Sequence, residues 1–188
     1  MSCARDPQAV PDGGPASDCG RCPHRERLNQ GRCRPGDACV AAESGRQIDR
    51  FFRRNPELAA GYAADEFWER RAIAARYISR ERLSELIDDP DEVVRRAVAV
   101  RLPVEQLERL AEDEDREVRI TVADRLPTER LERLAGDVDY LVRVYVARRL
   151  PAGRLFRMIR DPDPEVRVTV AGRLPAASLG LMAEDPEV

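Results

Sequence analysis

Asp89-Pro90-Asp91-Glu92-Val93-Val94-Arg95-Arg96-Ala97-Val98-Ala99-Val100-Arg101-Leu102-Pro103 is a line that the chain writes again and again. Its last three residues return as Arg125-Leu126-Pro127, Arg149-Leu150-Pro151 and Arg173-Leu174-Pro175, always 24 residues apart. No residue is gained or lost between copies. A fixed period of this length marks a solenoid, in which each unit stacks on the next and has no separate core of its own. In register, the units are 65–88, 89–112, 113–136, 137–160 and 161–184.

Within each unit the apolar columns follow a helix. Val94, Val118, Val142 and Val166 are followed four residues later by Val98, Val122, Val146 and Val170, and four later again by Leu102, Leu126, Leu150 and Leu174. Spacing of i, i+4, i+8 lays one stripe along a helix. An all-Ala column (Ala75, Ala99, Ala123, Ala147, Ala171) lets neighbouring helices approach closely. The Pro that follows each Leu pushes that Leu out of the α region and stops the helix. A short second segment follows, with apolar pairs such as Leu107/Leu110, Leu131/Leu134, Leu155/Met158 and Leu179/Met182. Spacing of three suits a short helix or 3₁₀ turn that must pack on its neighbours. Each unit opens with an acid (Asp65, Asp89, Asp113, Asp137, Asp161), expected to cap the first helix, with Pro90 or Pro162 at its first position.

Two arginine columns are as regular as the core. Arg71, Arg95, Arg119, Arg143 and Arg167 are expected to form a structural ladder with the acids of their own or adjacent repeats. Arg101, Arg125, Arg149 and Arg173 are a candidate partner surface. All 32 basic residues are Arg and there is no Lys, so every cationic contact is a guanidinium fork. Charged residues make up 36% of the chain, above the roughly 25% of an ordinary domain, as a slender rod requires. The net charge of -3 makes non-specific nucleic-acid binding an unfavoured function. No apolar run reaches membrane length and no signal-peptide core is visible, so the chain reads as cytoplasmic and without a membrane partner.

The chemistry lies outside the repeats. Residues 1–18, rich in Pro, Gly, Asp and Ser, read as a flexible tail, and Cys3 within it is not expected to be a ligand. Then come Cys19, Cys22, Cys33 and Cys39, spaced C-x₂-C-x₁₀-C-x₅-C. In a reducing compartment such clustering favours metal over disulfides. Two groups suit four thiolates: a structural zinc or an iron–sulfur cluster. Five residues between Cys33 and Cys39 are wide for a zinc knuckle, and a cubane tolerates uneven spacing. Arg21, Arg25, Arg27, Arg32 and Arg34 would offset the charge of an anionic cluster. His24, the one histidine, is an alternative ligand or a neighbour of the site. A single His, with no phosphate loop, dinucleotide fingerprint or nucleophile elbow, argues against an enzyme. Ile48, Phe51 and Phe52 mark a helix ending near Asn55-Pro56, and Leu58 and Tyr62 mark another; this segment is expected to cap the repeats.

The 24-residue line together with the four-cysteine motif resembles the leucine-rich repeat variant family, in particular its iron–sulfur member known from nitrogen-fixing bacteria. The resemblance covers residues 19 to 188. It implies an all-α fold, a right-handed superhelical solenoid of alternating α- and 3₁₀-helices without strands, and a small N-terminal metal-cluster domain. The expected organisation is a tail (1–18), a cysteine-rich iron–sulfur domain with capping helices (19–64) and the repeats (65–188). The resemblance also implies a [4Fe–4S] cluster on Cys19, Cys22, Cys33 and Cys39. It supplies no biological role. The expected function is a non-enzymatic interaction scaffold with a protein partner, its cluster a redox, sensing or structural group. The alternatives are a zinc-stabilised nucleic-acid-binding module and an electron-transfer partner of a redox enzyme.

Overall fold

The computed structural model describes residues 19–188; the expected tail and Cys3 lie outside the described residues. Two compact units divide at Ser79/Arg80. All regular elements among the described residues are helical, apart from one isolated antiparallel bridge between Arg34 and Ala38.

The first unit holds α1 (Arg25–Asn29), α2 (Gly45–Arg54), the 3₁₀-helix η1 (Pro56–Tyr62) and α3 (Trp68–Ala74). α2 carries its apolar residues on one side, and Ile48, Phe51 and Phe52 are fully buried. It packs on η1 and on α3, the helix of the first repeat, so the expected capping segment covers that helix. Phe52 stacks edge-on against Phe51 and Tyr62, at 5.6 and 5.3 Å between ring centres. Asn55 ends α2. Its buried amide donates to Arg32 O at 2.9 Å and to Phe51 O at 2.8 Å, tying the cysteine loop to the helix end.

The second unit alternates as its period demands. After η2 (Arg80–Leu86) come α4 (Glu92–Arg101), the short α5 (Val104–Leu107) running into η3 (Glu108–Leu110), α6 (Arg116–Arg125), η4 (Leu131–Leu134), α7 (Tyr140–Arg149), η5 (Ala152–Met158), α8 (Pro164–Ala171) and η6 (Ala176–Met182). Successive long helices, α4 to α6 to α7 to α8, pack side by side. The three valine and leucine columns form the seam; Val94, Val118, Val142 and their partners four residues on have no exposed surface. Each such side chain contributes roughly 1.5–3 kcal/mol, repeated in every unit. Met158 and Met182 occupy core positions as expected. Leu179 departs from its column. Leu131 and Leu155 are fully buried, whereas Leu179 is 40% exposed, with a described repeat on one side of it only.

The opening acids do not cap the helices. The N-caps are Asp91, Asp115, Asp139 and Asp163, whose carboxylates accept from N–H groups two or three residues on, as from Val93 at 3.0 Å. The opening Asp instead folds the turn before the helix: Asp89 Oδ1 accepts from Asp91 N at 3.0 Å, and Asp113, Asp137 and Asp161 repeat this bond. Pro90 and Pro162 therefore sit in that turn. Two Asp residues per line are needed because one shapes the turn and the other satisfies the helix end.

The ladder is present. Arg95 reaches Asp113 of the next repeat through Nε and Nη2 at 2.8 and 2.9 Å, while its Nη1 donates to Asp89 O of its own repeat at 2.8 Å. Arg119 with Asp137, Arg143 with Asp161, and Arg167 with Asp185 form the same bidentate pair. In the first unit Arg71 donates to Asp65 O at 2.8 Å. One arginine thus joins a turn of its own repeat to the carboxylate that builds the next turn.

The second arginine column also acts on the backbone. Arg125 Nη1 donates to Ala99 O and, at 2.8 Å, to Leu102 O. Arg149 Nη1 donates to Ala123 O at 2.6 Å, and Arg173 Nη1 to Ala147 O and Leu150 O, each at 2.6 Å. The reason lies in the Arg-Leu-Pro line. Ala99 O would accept from the N–H four residues on, which is Pro103 and has none. The arginine of the following repeat supplies the missing donor. Arg101, the first of the column, is half-buried.

Candidate metal centre

Two separate local structures present the four cysteines. Cys19 and Cys22 lie in a run of turns that leads into α1, and both are half-buried. The N–H of His24 approaches Cys22 Sγ at 3.4 Å. α1 then ends in a Schellman motif: Gly31 adopts φ 67°, its N–H bonds Leu28 O at 3.1 Å, and Arg32 N–H reaches back to Arg27 O at 2.9 Å. This closure reverses the chain and delivers Cys33.

Cys33 and Cys39 are paired by a tight hairpin. Arg34 and Ala38 exchange both backbone hydrogen bonds at 2.8 Å, and Gly36, at φ 75°, makes the turn between them. Residues that flank such a pair lie opposite one another and point to the same face. The five-residue gap, wide for a knuckle of two thiolates in sequence, is therefore a short path across a bridge. Both cysteines are buried, and none of the four described cysteines is in a disulfide.

All four line one cavity of about 320 Å³, together with Arg21, Tyr62, Asp65 and Arg70. They also share one electrostatic field. Burial first, and then the neighbouring Cys39, Cys22 and Cys19, push the Cys33 thiol up to about 11. Burial and the charge of Cys22 push the Tyr62 hydroxyl up to about 12. Such mutual repulsion among thiolates is relieved by a cation at their centre, which requires the thiols to release their protons.

His24 stands beside this set. Its ring packs 5.4 Å from Phe51, and its Nε2 lies 2.7 Å from Tyr62 Oη. Burial, and then Arg27, hold its pKa below the ordinary value, so the ring is neutral near pH 7. Of the five arginines expected to surround the motif, only Arg21 lines the cavity. Arg27 and Arg32 pair with Glu57 at 3.3 and 3.0 Å, and Arg32 also caps Arg54 O. Arg25 and Arg34 are exposed. The cationic wall is supplied instead by Arg70, whose Nε donates to Val40 O at 2.8 Å and whose Nη1 meets Asp65 at 3.1 Å. Tyr62, Asp65 and Arg70 were not apparent as site residues, since they fall on the capping segment and the first repeat. Their signal was indirect: Arg70 adds an arginine next to the ladder residue Arg71.

Among the described residues no group of three or more His, Cys, Asp or Glu side chains converges closely enough to grip a single ion. Four thiols lining one hollow are the donor set of a thiolate metal centre, an iron–sulfur cluster included.

A four-cysteine module followed along the chain by an α/3₁₀ repeat solenoid is the class that this fold and site define. Residues 68–91, 93–115, 116–139, 140–163 and 164–187 each match the leucine rich repeat variant, and residues 12–61 match the family described as LRV protein FeS4 cluster. The chain belongs to the leucine-rich repeat variant family, and its N-terminal region makes it an iron–sulfur-associated repeat protein. A solved structure described as a leucine-rich repeat variant with a novel repetitive protein structural motif is 66% identical and superposes with a TM-score of 0.89. That match covers 92% of this chain and 76% of the other. An uncharacterized 27.7 kDa protein in the nifB 3′ region of Rhodobacter capsulatus is 42% identical over 90 residues. The match takes in 48% of this chain and 37% of that relative's length.

Proposed function

We propose that this chain is a non-enzymatic interaction scaffold in which Cys19, Cys22, Cys33 and Cys39 hold a [4Fe–4S] cluster and the repeats bind a protein partner. The observation that carries the reading is that a turn and a separate hairpin bring four thiols to the lining of one cavity. The matched family description names an FeS4 cluster. Once bound, the cluster would supply a one-electron couple or a covalent cross-link between the two loops. The surrounding residues suit either use. Val40 is buried at the cavity wall, while Arg21 and Arg70 place positive charge there. The N–H of His24 is positioned to donate to the sulfur of Cys22.

The residue ranges follow the chemistry, with 19–64 as the cluster-bearing and capping region and 65–188 as the repeats. No described helix is long and apolar enough to cross a membrane. The repeats offer a surface to a partner, and the column Arg101, Arg125, Arg149 and Arg173 is the candidate contact, with Nη1 of Arg125, Arg149 and Arg173 committed to backbone carbonyls.

Anaerobic purification followed by iron, acid-labile sulfide and zinc analysis tests the cluster. The expected result is a brown protein with about four iron and four sulfide per chain, and Cys33→Ser should lower both. A colourless protein with one zinc per chain and no sulfide overturns it and favours the zinc-stabilised alternative.

A further inference from the structure

One repeat reverses the charge of its neighbours. Residues 137–160 carry six Arg and two acids, a net +4, whereas 89–112, 113–136 and 161–184 each carry a net -2. Three of the six arginines, Arg154, Arg157 and Arg160, are spaced by three along η5 and its helical continuation at Ile159. A 3₁₀-helix has three residues per turn and rises about 2 Å per residue, so these side chains stand in one row about 6 Å apart. Beside the row, Phe156 is 54% exposed, with the Arg157 guanidinium 5.9 Å from the centre of its ring.

In the preceding repeats the corresponding arginines are answered. Arg109 meets Asp88 at 3.1 Å, and Arg133 meets Glu112 at 3.2 Å and Glu108 at 3.5 Å. Around Arg157 one of those acids is gone and the other is turned elsewhere. Gly136 stands where Glu112 stood one repeat earlier. Glu132, the counterpart of Glu108, lies 3.6 Å from Arg154. Among the described residues, Arg157 and Arg160 have no carboxylate within ion-pair distance.

We propose that η5 is a docking surface for an extended acidic segment of a partner protein. Its carboxylates, on alternate residues, meet the arginine row, and one apolar side chain covers Phe156. Alternate residues of an extended strand are about 6.6–6.8 Å apart, close to the pitch of the row. Guanidinium forks bind carboxylates two atoms at a time. The acidic repeats on both sides confine the match to a short segment. A nucleic acid, whose phosphates continue past one repeat, meets repulsion from those neighbours. The proposal rests on the scaffold reading given above and names the chemistry of the partner.

The test is a fluorescence-anisotropy titration of the anaerobically purified full chain. The probe is a short labelled peptide in which Glu alternates with Thr, with one Thr replaced by Leu. Controls are the same peptide with Gln for Glu and a single-stranded oligonucleotide of equal charge. Binding of the Glu peptide alone is expected. Arg157→Glu with Arg160→Glu should weaken it about tenfold or more, and Phe156→Ala a few-fold. Arg109→Glu, two repeats away, should change it less than about twofold. Circular dichroism of each variant checks that the solenoid is intact. Absence of binding, indifference to the double substitution, or tighter binding of the oligonucleotide through the same arginines overturns the proposal. Iron and sulfide assays on the same samples keep the two readings apart. A cluster-free wild type sinks the cluster, while the titration still reports on the patch.

Discussion

The residues up to Ser79 and those from Arg80 solve the same problem in opposite ways. In the cysteine module every device is used once: one Schellman closure at Gly31, one bridged hairpin at Arg34 and Ala38, one buried amide at Asn55. In the repeats every device recurs at an interval of 24 residues. The ion pairs show the difference best. The pair of Arg32 and Glu57 in the module is at the surface, with side chains 37% and 45% exposed. The ladder pairs of the solenoid are inside, as between Arg119 and Asp137, at 10% and 6%. The module has little helix to hold its loops, and burial and the neighbouring cysteines disfavour the thiolate of Cys33 unless a cation sits among them. The repeats carry their own cross-links. The two units should therefore respond differently to the same insult.

Removal of the metal should produce the largest difference. Chelation after exposure to oxidant, followed by hydrogen exchange, should strip protection from the amides of the hairpin at Cys33–Cys39. The amides of α6 and α7 should keep theirs, because neighbouring repeats bury them independently of the cysteines. Equal loss in both units would erase the distinction.

Next comes a single rung of the ladder. Arg119→Met leaves the buried Asp137 carboxylate without its counter-charge, at a cost of about 3–5 kcal/mol. The double substitution Arg119→Met with Asp137→Asn should recover part of that loss, since Asn still offers an oxygen to the N–H of Asp139. Arg32→Ala in the module should cost under about 1 kcal/mol by its ion pair. Urea unfolding of the three variants, followed by tryptophan-independent circular dichroism, gives the ranking. An Arg119 variant as mild as the Arg32 variant would mean that the ladder is decoration.

The contrast also explains what could be read from the sequence. Repetition averages away local ambiguity: a column that is Val four times, or Ala five times, leaves one reading, and the alternation of α- and 3₁₀-helices followed. Within that reading the task of each Asp was legible only roughly. An Asp before a Pro looks like a helix cap, yet the line contains two Asp residues and the second is the cap. The Arg of Arg-Leu-Pro read as a candidate partner surface because its backbone partner is a carbonyl one repeat away, orphaned by a proline in the same motif. A contact between copies is invisible in any single copy. The site was half legible. The ligand candidates follow from cysteine chemistry, but Tyr62 and Arg70 reach the cavity through the fold alone. Their neighbours in sequence give no reason to place them beside Cys22.

The smallest effect is expected at the last rung, where the solenoid becomes partly exposed. Hydrogen bonds from Arg167, and then from the N–H of Glu187, hold the Asp185 carboxyl below its ordinary range, against a smaller opposing effect of burial. A carboxyl whose folded pKa is depressed favours the folded state above its unfolded value, near 4. That contribution fades as the pH falls below this value and through the lower folded one. Acidification from about pH 5 to about pH 3 should therefore loosen residues around Asp185 and η6 before α6, where Arg119 and Asp137 are shielded on both sides. Asp185→Asn removes the titrating group, so the acid-induced step in amide exchange near η6 should disappear with it. A step of undiminished size in that variant would assign the acid response to other carboxylates, and the last rung would then be no weaker than those inside.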